Sequence, residues 1–137
     1  MDKYQFEIEM QVRDYECDFQ GIVNNAVYQN YLEHARHQFL RSHHIDFIEL
    51  SKKGIQLIVI RSEIDYLSPL RHSDKFIVGS TFFRISKLRF SFNQDIFLLP
   101  GKKPVLKGLI IGTSVNNQGR PFLPKELNAI FEKLVNK

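Results

Sequence analysis

The chain has 137 residues, of which 43% are hydrophobic and 25% charged, a balance typical of one globular domain with a single core and not of a disordered chain. Its net charge of +4 is scattered and accompanies no nucleic-acid-binding motif, which argues against nucleic acid as a partner. An incidentally basic surface and a phosphate-bearing ligand both remain compatible with this charge.

The N-terminal segment and the single cysteine bear on the compartment. No apolar run is long enough to cross a membrane, and the first residues alternate in polarity instead of forming a signal peptide. Cys17 is the only cysteine, so an intrachain disulfide and a cysteine-based zinc site within one chain are excluded. We therefore expect a cytoplasmic protein that does not associate with a membrane.

Two elements are predicted in the first third of the chain. Apolar and polar residues alternate from Tyr4 to Val12, which predicts a half-buried strand. A loop over 14–21 follows, and from Ala26 apolar residues recur every three or four positions, which predicts a helix ending near His43. Either Asn24 or Asn25 is suited to cap its first turn.

The remainder of the chain is dominated by strand-like segments. We predict strands over 55–66, 75–85, 88–98 and 105–115, joined by short turns, and a short amphipathic helix after Pro124. Short connections favour a largely antiparallel meander. The expected architecture is α+β, with one long helix packed on a curved antiparallel sheet of about five strands.

The most specific feature is the run DFQGIVNNAVYQNYLEHAR from Asp18 to Arg36. It places an acid, a glycine turn and two asparagines of capping type directly before the predicted helix. A carboxylate would then lie beside backbone N–H groups that have no partner within the helix. Such donors, together with the helix dipole, can stabilise the oxyanion that forms when a carbonyl is attacked.

This run resembles the signature of hotdog-fold thioesterases, in the branch of 4-hydroxybenzoyl-CoA thioesterase and its bacterial acyl-CoA and acyl-ACP relatives. Residues 18, 21 and 23 match the pattern D-x-x-G-x-V, and residues 28 to 36 match Y-x-x-Y-x-E-x-A-R. The segment from Gly119 to Pro124 resembles the part of the family that closes the sheet and begins the last helix. The resemblance implies a single hotdog thioesterase domain over residues 1–137.

The resemblance also implies roles for individual residues. Asp18 would act on the thioester carbonyl, either as a nucleophile through a mixed anhydride or as a general base on water. A backbone N–H near Asn25 would hold the thioester oxygen. Asn24-Asn25 resembles the H-V-N-N version of the motif, except that Ile22 stands in place of its histidine. The predicted catalytic set is Asp18, Gly21 and Asn25, and the predicted substrate contacts near it are Val23, Asn24 and Tyr28.

Basic residues further along the chain are candidates for binding coenzyme A. By the resemblance, Arg84, Lys87 and Arg89 would meet its phosphates, for which arginine and lysine are suited by charge and geometry. The alternative for these three residues is a solvated hairpin. Weaker candidates are Arg61, Arg71 and Lys107. No metal or redox cofactor is expected, because coenzyme A would enter only as part of the substrate.

The expected function is hydrolysis of an acyl-CoA or acyl-ACP thioester. Relatives form homodimers, many of which pair into homotetramers, with active sites at the subunit boundary. Two alternatives stay open: dehydration of a hydroxyacyl thioester, and binding of an acyl thioester without catalysis. The five histidines show no catalytic or metal-binding grouping in the sequence, which disfavours the dehydratase.

Overall fold

The computed structural model describes residues 3–135 and confirms the predicted α+β hotdog architecture. Between these residues the chain forms six strands, three α-helices and a 3₁₀ turn at Asp14–Glu16. The strands are β1 (Phe6–Gln11), β2 (Gln56–Tyr66), β3 (Lys75–Arg84), β4 (Phe90–Leu98), β5 (Lys103–Val115) and β6 (Pro121–Phe122). The helices are α1 (Asn25–Ser42), α2 (Phe47–Lys52) and α3 (Lys125–Val135).

All strand pairs are antiparallel, and the order across the sheet is β1-β3-β4-β5-β2, with β6 paired to β5. The predicted meander is correct for β3, β4 and β5 but wrong for β2. Strand β2 pairs with β5 instead of its neighbour in sequence, because β1 and β4 already occupy both edges of β3. As a result, β2 lies at one edge of the sheet and β1 at the other.

Helix α1 covers the inner face of the sheet. Asn24 caps it, since its side-chain oxygen accepts a hydrogen bond from the Ala26 N–H at 3.0 Å. Its apolar stripe is buried, and Phe39 is fully buried with its ring against those of Phe6, Phe82 and Phe92. Burial of this aromatic cluster fixes the helix on the sheet.

Helix α2 is an element that the sequence analysis did not predict. Asp46 caps it by accepting a hydrogen bond from the Ile48 N–H at 2.9 Å, and Leu50 is its buried side chain. Six residues are too few to display a helical period, so the local signals were limited to the capping Asp46 and to Gly54, which follows the helix with a φ of +81°. The helix packs against β2 and extends the layer over that edge of the sheet.

Two local features shape the far edge of the sheet. The register between β2 and β5 shifts between Val59 and Arg61, which leaves Ile60 as an extra residue in a β-bulge. Gly112 in β5 has no room for a side chain, because a Cβ there would meet the Phe90 ring at 2.6 Å.

No helix within residues 3–135 has the length and hydropathy needed to span a membrane.

Candidate functional site

The loop before α1 forms a small ribbon, in which three backbone segments lie side by side. The segment 16–18 runs antiparallel to 22–24, since Cys17 pairs with Val23 and the Asn24 N–H donates to the Glu16 carbonyl at 3.2 Å. On its other side, Ile22 pairs with Arg71. This pairing holds the loop by backbone hydrogen bonds on both flanks, which favours a fixed geometry over a mobile one.

Asp18 lies at the tip of this ribbon and is exposed. Its Oδ1 accepts hydrogen bonds from the N–H groups of Gln20, at 2.9 Å, and Ile22, at 3.4 Å. Its carbonyl accepts from the Gly21 N–H at 3.0 Å, and Gly21 has φ of +78°, a conformation that favours glycine. Oδ1 thus holds the turn. Oδ2 has no hydrogen-bond partner among residues 3–135 and is free to contact a ligand.

The start of α1 offers one unpaired donor. The Ala26 N–H is taken by the Asn24 side chain, and the Val27 N–H donates to the Asn24 carbonyl at 2.9 Å. Within the described chain, the Asn25 N–H has no acceptor. Asp18 lies opposite Ile22 in the ribbon, so the Asn25 N–H is three residues further along, or about 10 Å by the rise of a strand. The Asp18 carboxylate and the Asn25 N–H thus lie on the same ribbon, toward opposite ends of the segment that leads into α1.

The two tyrosines of the motif anchor this loop to the helix. The Tyr31 hydroxyl donates to Glu16 Oε1 at 2.8 Å, and the Tyr28 hydroxyl accepts from the Leu70 N–H at 2.9 Å. Both side chains are buried, and burial raises the pKa of each hydroxyl, which keeps it protonated. Tyr28 and Val23 therefore lie in the core of the chain, and their contact with substrate stays a prediction.

Several residues near this loop were not found from the sequence. His72 pairs through Nε2 with Asp14, and its backbone N–H approaches the Gly21 carbonyl at 3.4 Å. The His72 Nδ1 shares a 3.0 Å hydrogen bond with the Ser73 hydroxyl. His72 follows Asp18 by more than fifty positions, so no local pattern indicated this proximity.

Cys17 is the other nucleophilic side chain of the ribbon. Burial, followed by the charges of Asp18 and Glu16, raises the pKa of its thiol. A thiol with a raised pKa is less ionised at neutral pH and is a poor nucleophile. Asp18 is therefore the better candidate. Among residues 3–135, no group of three or more His, Cys, Asp or Glu side chains could hold a metal ion.

The basic hairpin between β3 and β4 lies far from Asp18 within one chain. Arg84, Lys87 and Arg89 are exposed, and the Arg84 guanidinium donates to the carbonyls of Ser86 at 2.9 Å and Lys87 at 3.1 Å. The loop of Asp18 lies beside the opposite end of the ten-residue strand β3, about 30 Å away by strand rise. Arg71, a weaker candidate in the sequence, is the basic residue that the structure brings next to this loop.

This fold, with an acid-bearing turn at the start of its long helix, defines the hotdog thioesterases. The sequence profile of the Thioesterase-like superfamily matches residues 12–131, which is most of the chain. The chain therefore belongs to the Thioesterase-like superfamily, as the resemblance implied.

Individual relatives agree with this assignment. The chain is 40% identical over 126 residues to the chloroplastic acyl-acyl carrier protein thioesterase ATL3 of Arabidopsis thaliana, a match covering 91% of this chain and 66% of that protein. The chain thus spans slightly less than two thirds of that relative. It is also 32% identical over 92 residues to a putative esterase of Aquifex aeolicus, covering 67% of this chain and 72% of that protein.

Solved structures show the same fold. A hypothetical protein from Aquifex aeolicus superposes with a TM-score of 0.86 at 29% identity, covering 92% of this chain and 98% of that one. A 1,4-dihydroxy-2-naphthoyl-CoA thioesterase from Synechocystis superposes with a TM-score of 0.89 at 20% identity, covering 94% of this chain and 96% of that one. At this low identity, the second likeness shows the fold alone.

Proposed function

We propose that this protein hydrolyses an acyl thioester of coenzyme A or acyl carrier protein at the loop of Asp18. The observation that carries the proposal is that two groups of the same ribbon, Asp18 Oδ2 and the N–H of Asn25 at the start of α1, have no hydrogen-bond partner among residues 3–135. Attack on a thioester carbonyl requires both a nucleophile or base and a donor for the developing oxyanion.

Two routes use this pair of groups. In the first, Asp18 Oδ2 bonds to the carbonyl carbon and the thiolate leaves. The thiolate takes a proton from water, and the resulting hydroxide attacks the acyl carbonyl of the mixed anhydride, which releases the acid and restores the Asp18 carboxylate. In the second, Asp18 accepts a proton from water while the water oxygen bonds to the carbonyl carbon, and the proton then passes to the departing thiolate. In both routes the Asn25 N–H stabilises the tetrahedral oxyanion.

The choice of thiol carrier rests on charge and on the relatives. Both carriers present a phosphate-bearing arm, which suits the net charge of +4 and the exposed basic hairpin of Arg84, Lys87 and Arg89. The 40% identity to a protein named as an acyl-acyl carrier protein thioesterase supports a carrier-protein substrate in particular.

A homodimer would bring the separated parts of the site together. Strand β2 has one edge without a partner among residues 3–135, and Ile58, Val59 and Ile60 on it are 40%, 45% and 44% exposed. An apolar strand edge of this kind favours pairing with a second copy. Joining two sheets at β2 would place the site at the subunit boundary, where the basic hairpin of one copy could serve the Asp18 loop of the other.

Release of free thiol from a panel of acyl-CoA and acyl-ACP thioesters tests the proposed function. We expect turnover on at least one acyl length, with the preferred carrier identified by the higher kcat/KM. A protein that binds these thioesters but releases no thiol from any of them would instead be the non-catalytic binding module.

Replacing Tyr31 with phenylalanine should lower kcat about ten-fold with little change in KM. The change removes the hydroxyl that holds Glu16, and a displacement of the loop well below 1 Å is enough to misplace a reacting group. The loss of stability should be about 1 kcal/mol, the usual contribution of one hydrogen bond. Steady-state kinetics and thermal unfolding measure both effects.

The matched control is Tyr15→Phe, because Tyr15 is 79% exposed and donates no hydrogen bond within the described residues. It should behave as the wild type. A Tyr31→Phe variant with unchanged kcat would show that the bond to Glu16 does not position the site.

A further inference from the structure

A cavity separate from the Asp18 loop lies between the second half of α1, helix α2 and the sheet. Its volume is about 420 Å³, within the range of small-molecule sites. Its walls are mainly apolar and include Leu40, Leu57, Phe90, Phe92 and Ile110. It opens beside α2, where the lining residue Ile48 is 49% exposed.

One cation, Arg36, is set into this apolar wall. Its Nη1 donates to Gln94 Oε1 at 3.0 Å, and none of the ion pairs between residues 3 and 135 includes it. Gln94 is fully buried, and its Nε2 donates to the Leu32 carbonyl at 3.0 Å and the Ser80 hydroxyl at 3.1 Å. These bonds use the amide nitrogen of Gln94 and orient its amide oxygen toward Arg36.

The Arg36 guanidinium is under-compensated where it lies. A guanidinium has five N–H donors, and a neutral amide oxygen satisfies only one of them. Burial lowers the pKa of Arg36 to about 10, although the charge of Glu33 opposes this, so the group stays cationic at neutral pH. A cation withdrawn from water without an anionic partner is costly, and an anion entering the cavity would offset this cost.

The other polar groups around the cavity neither pair with Arg36 nor add a second charge inside the cavity. Burial lowers the pKa of His37, whose ring stacks on Phe47 at 4.0 Å, so this histidine is neutral at pH 7. Glu33 is exposed to water at the rim, and Lys52 at the rim pairs with Glu49 at 3.4 Å. Arg36 is therefore the one charged group that is partly buried among the described residues that line the cavity.

We propose that this cavity binds an apolar carboxylate, whose carboxyl group pairs with the Arg36 guanidinium while its hydrocarbon part fills the apolar walls. The fork of a guanidinium matches a carboxylate in a bidentate arrangement. Two sources supply this chemistry: a free fatty acid, which is the product of the proposed hydrolysis, and an acyl thioester with a second carboxyl group at its far end.

Calorimetric titration with octanoate and 1-octanol tests the binding itself. The two probes share a hydrocarbon chain and differ in charge, so the wild type should bind octanoate at least ten-fold more tightly. In Arg36→Met, which keeps an unbranched apolar stem but removes the guanidinium, octanoate should lose this advantage while octanol binds as before. Arg41→Met, an exposed arginine on the same helix, should leave both affinities unchanged.

Because Arg36→Met also removes the hydrogen bond to Gln94, a second variant tests binding without changing that bond. Ser51 lines the cavity mouth and is exposed on α2, so Ser51→Trp should fold normally and weaken octanoate at least ten-fold by obstructing entry. Equal binding of octanoate and octanol to the wild type would overturn the proposal, as would unchanged octanoate affinity in Ser51→Trp.

Kinetics then separate the two sources. If the occupant is the distal carboxyl of a substrate, Arg36→Met should lower kcat/KM at least ten-fold for suberyl-CoA and leave octanoyl-CoA unaffected. If the occupant is the free acid, Arg36→Met should leave kcat/KM unchanged for both suberyl-CoA and octanoyl-CoA while octanoate binding is weakened. This comparison rests on the proposed function, whereas the titration does not, because Asp18→Asn should bind octanoate normally even if hydrolysis is absent.

Discussion

Replacing Asp18 with asparagine should lower the turnover of acyl thioesters by roughly 100-fold to 10,000-fold, the range that general acid–base groups contribute. Asparagine keeps an oxygen at the position of Oδ1, so it can still accept from the Gln20 and Ile22 N–H groups and preserve the turn. The loss should therefore fall on kcat, with thioester affinity and thermal stability close to those of the wild type. Thiol release, calorimetry with a thioether analogue and thermal unfolding measure the three quantities.

The comparison variant is Glu9→Gln, an acid-to-amide change at an exposed position of β1, the edge of the sheet opposite β2. It alters net charge in the same way and should keep full turnover. If Asp18→Asn hydrolyses thioesters at the wild-type rate, the carboxylate is neither nucleophile nor base, and the proposed mechanism fails although the family assignment stands.

Placing a lysine at Ile60 should dissociate the proposed dimer. The Ile60 side chain is 44% exposed at the bulge of β2, so the folded single chain can accept a lysine there with little change in stability. Pairing of two β2 edges would bring two such lysines together and desolvate them. An estimate of about 2 kcal/mol for this effect corresponds to a roughly thirty-fold rise in the Kd of the dimer.

Light scattering across a concentration series measures this shift, and thiol release on the same samples should fall as the monomer accumulates. Glu9→Lys is the control, because Glu9 is exposed on β1, the edge of the sheet opposite β2, and receives the same side chain. A wild type that is monomeric at micromolar concentration and fully active would contradict the shared-site arrangement.

Local patterns in the sequence were sufficient for the elements that carry the site. Period-two alternation predicted β1, the three-to-four-residue spacing predicted α1, and the two asparagines predicted its start to within one residue. The turn of Asp18 and Gly21 belongs to the same class, since its hydrogen bonds join residues within four positions of each other. Where sequence neighbours supply the interactions, the sequence is a good guide.

The functions of the motif tyrosines required the tertiary structure. The helical spacing correctly indicated that Tyr28 and Tyr31 are on the buried stripe of α1. It did not indicate that one hydroxyl holds Glu16 and the other receives the Leu70 N–H, because both partners lie on loops outside the helix. These two hydrogen bonds explain why tyrosines stand at both positions of the family pattern: they fix the loop that carries Asp18.

The sequence by itself determined the class of this protein, its five long strands, its first and last helices, and the acid, glycine and asparagine at the start of the long helix. Only the tertiary structure decided that β2 pairs with β5 and becomes an edge, and that Arg36 meets Gln94 inside an apolar cavity. The physical reason is the separation along the chain: these contacts join residues tens of positions apart, and competition among strand edges and packing of the whole core select them, whereas local backbone preferences do not.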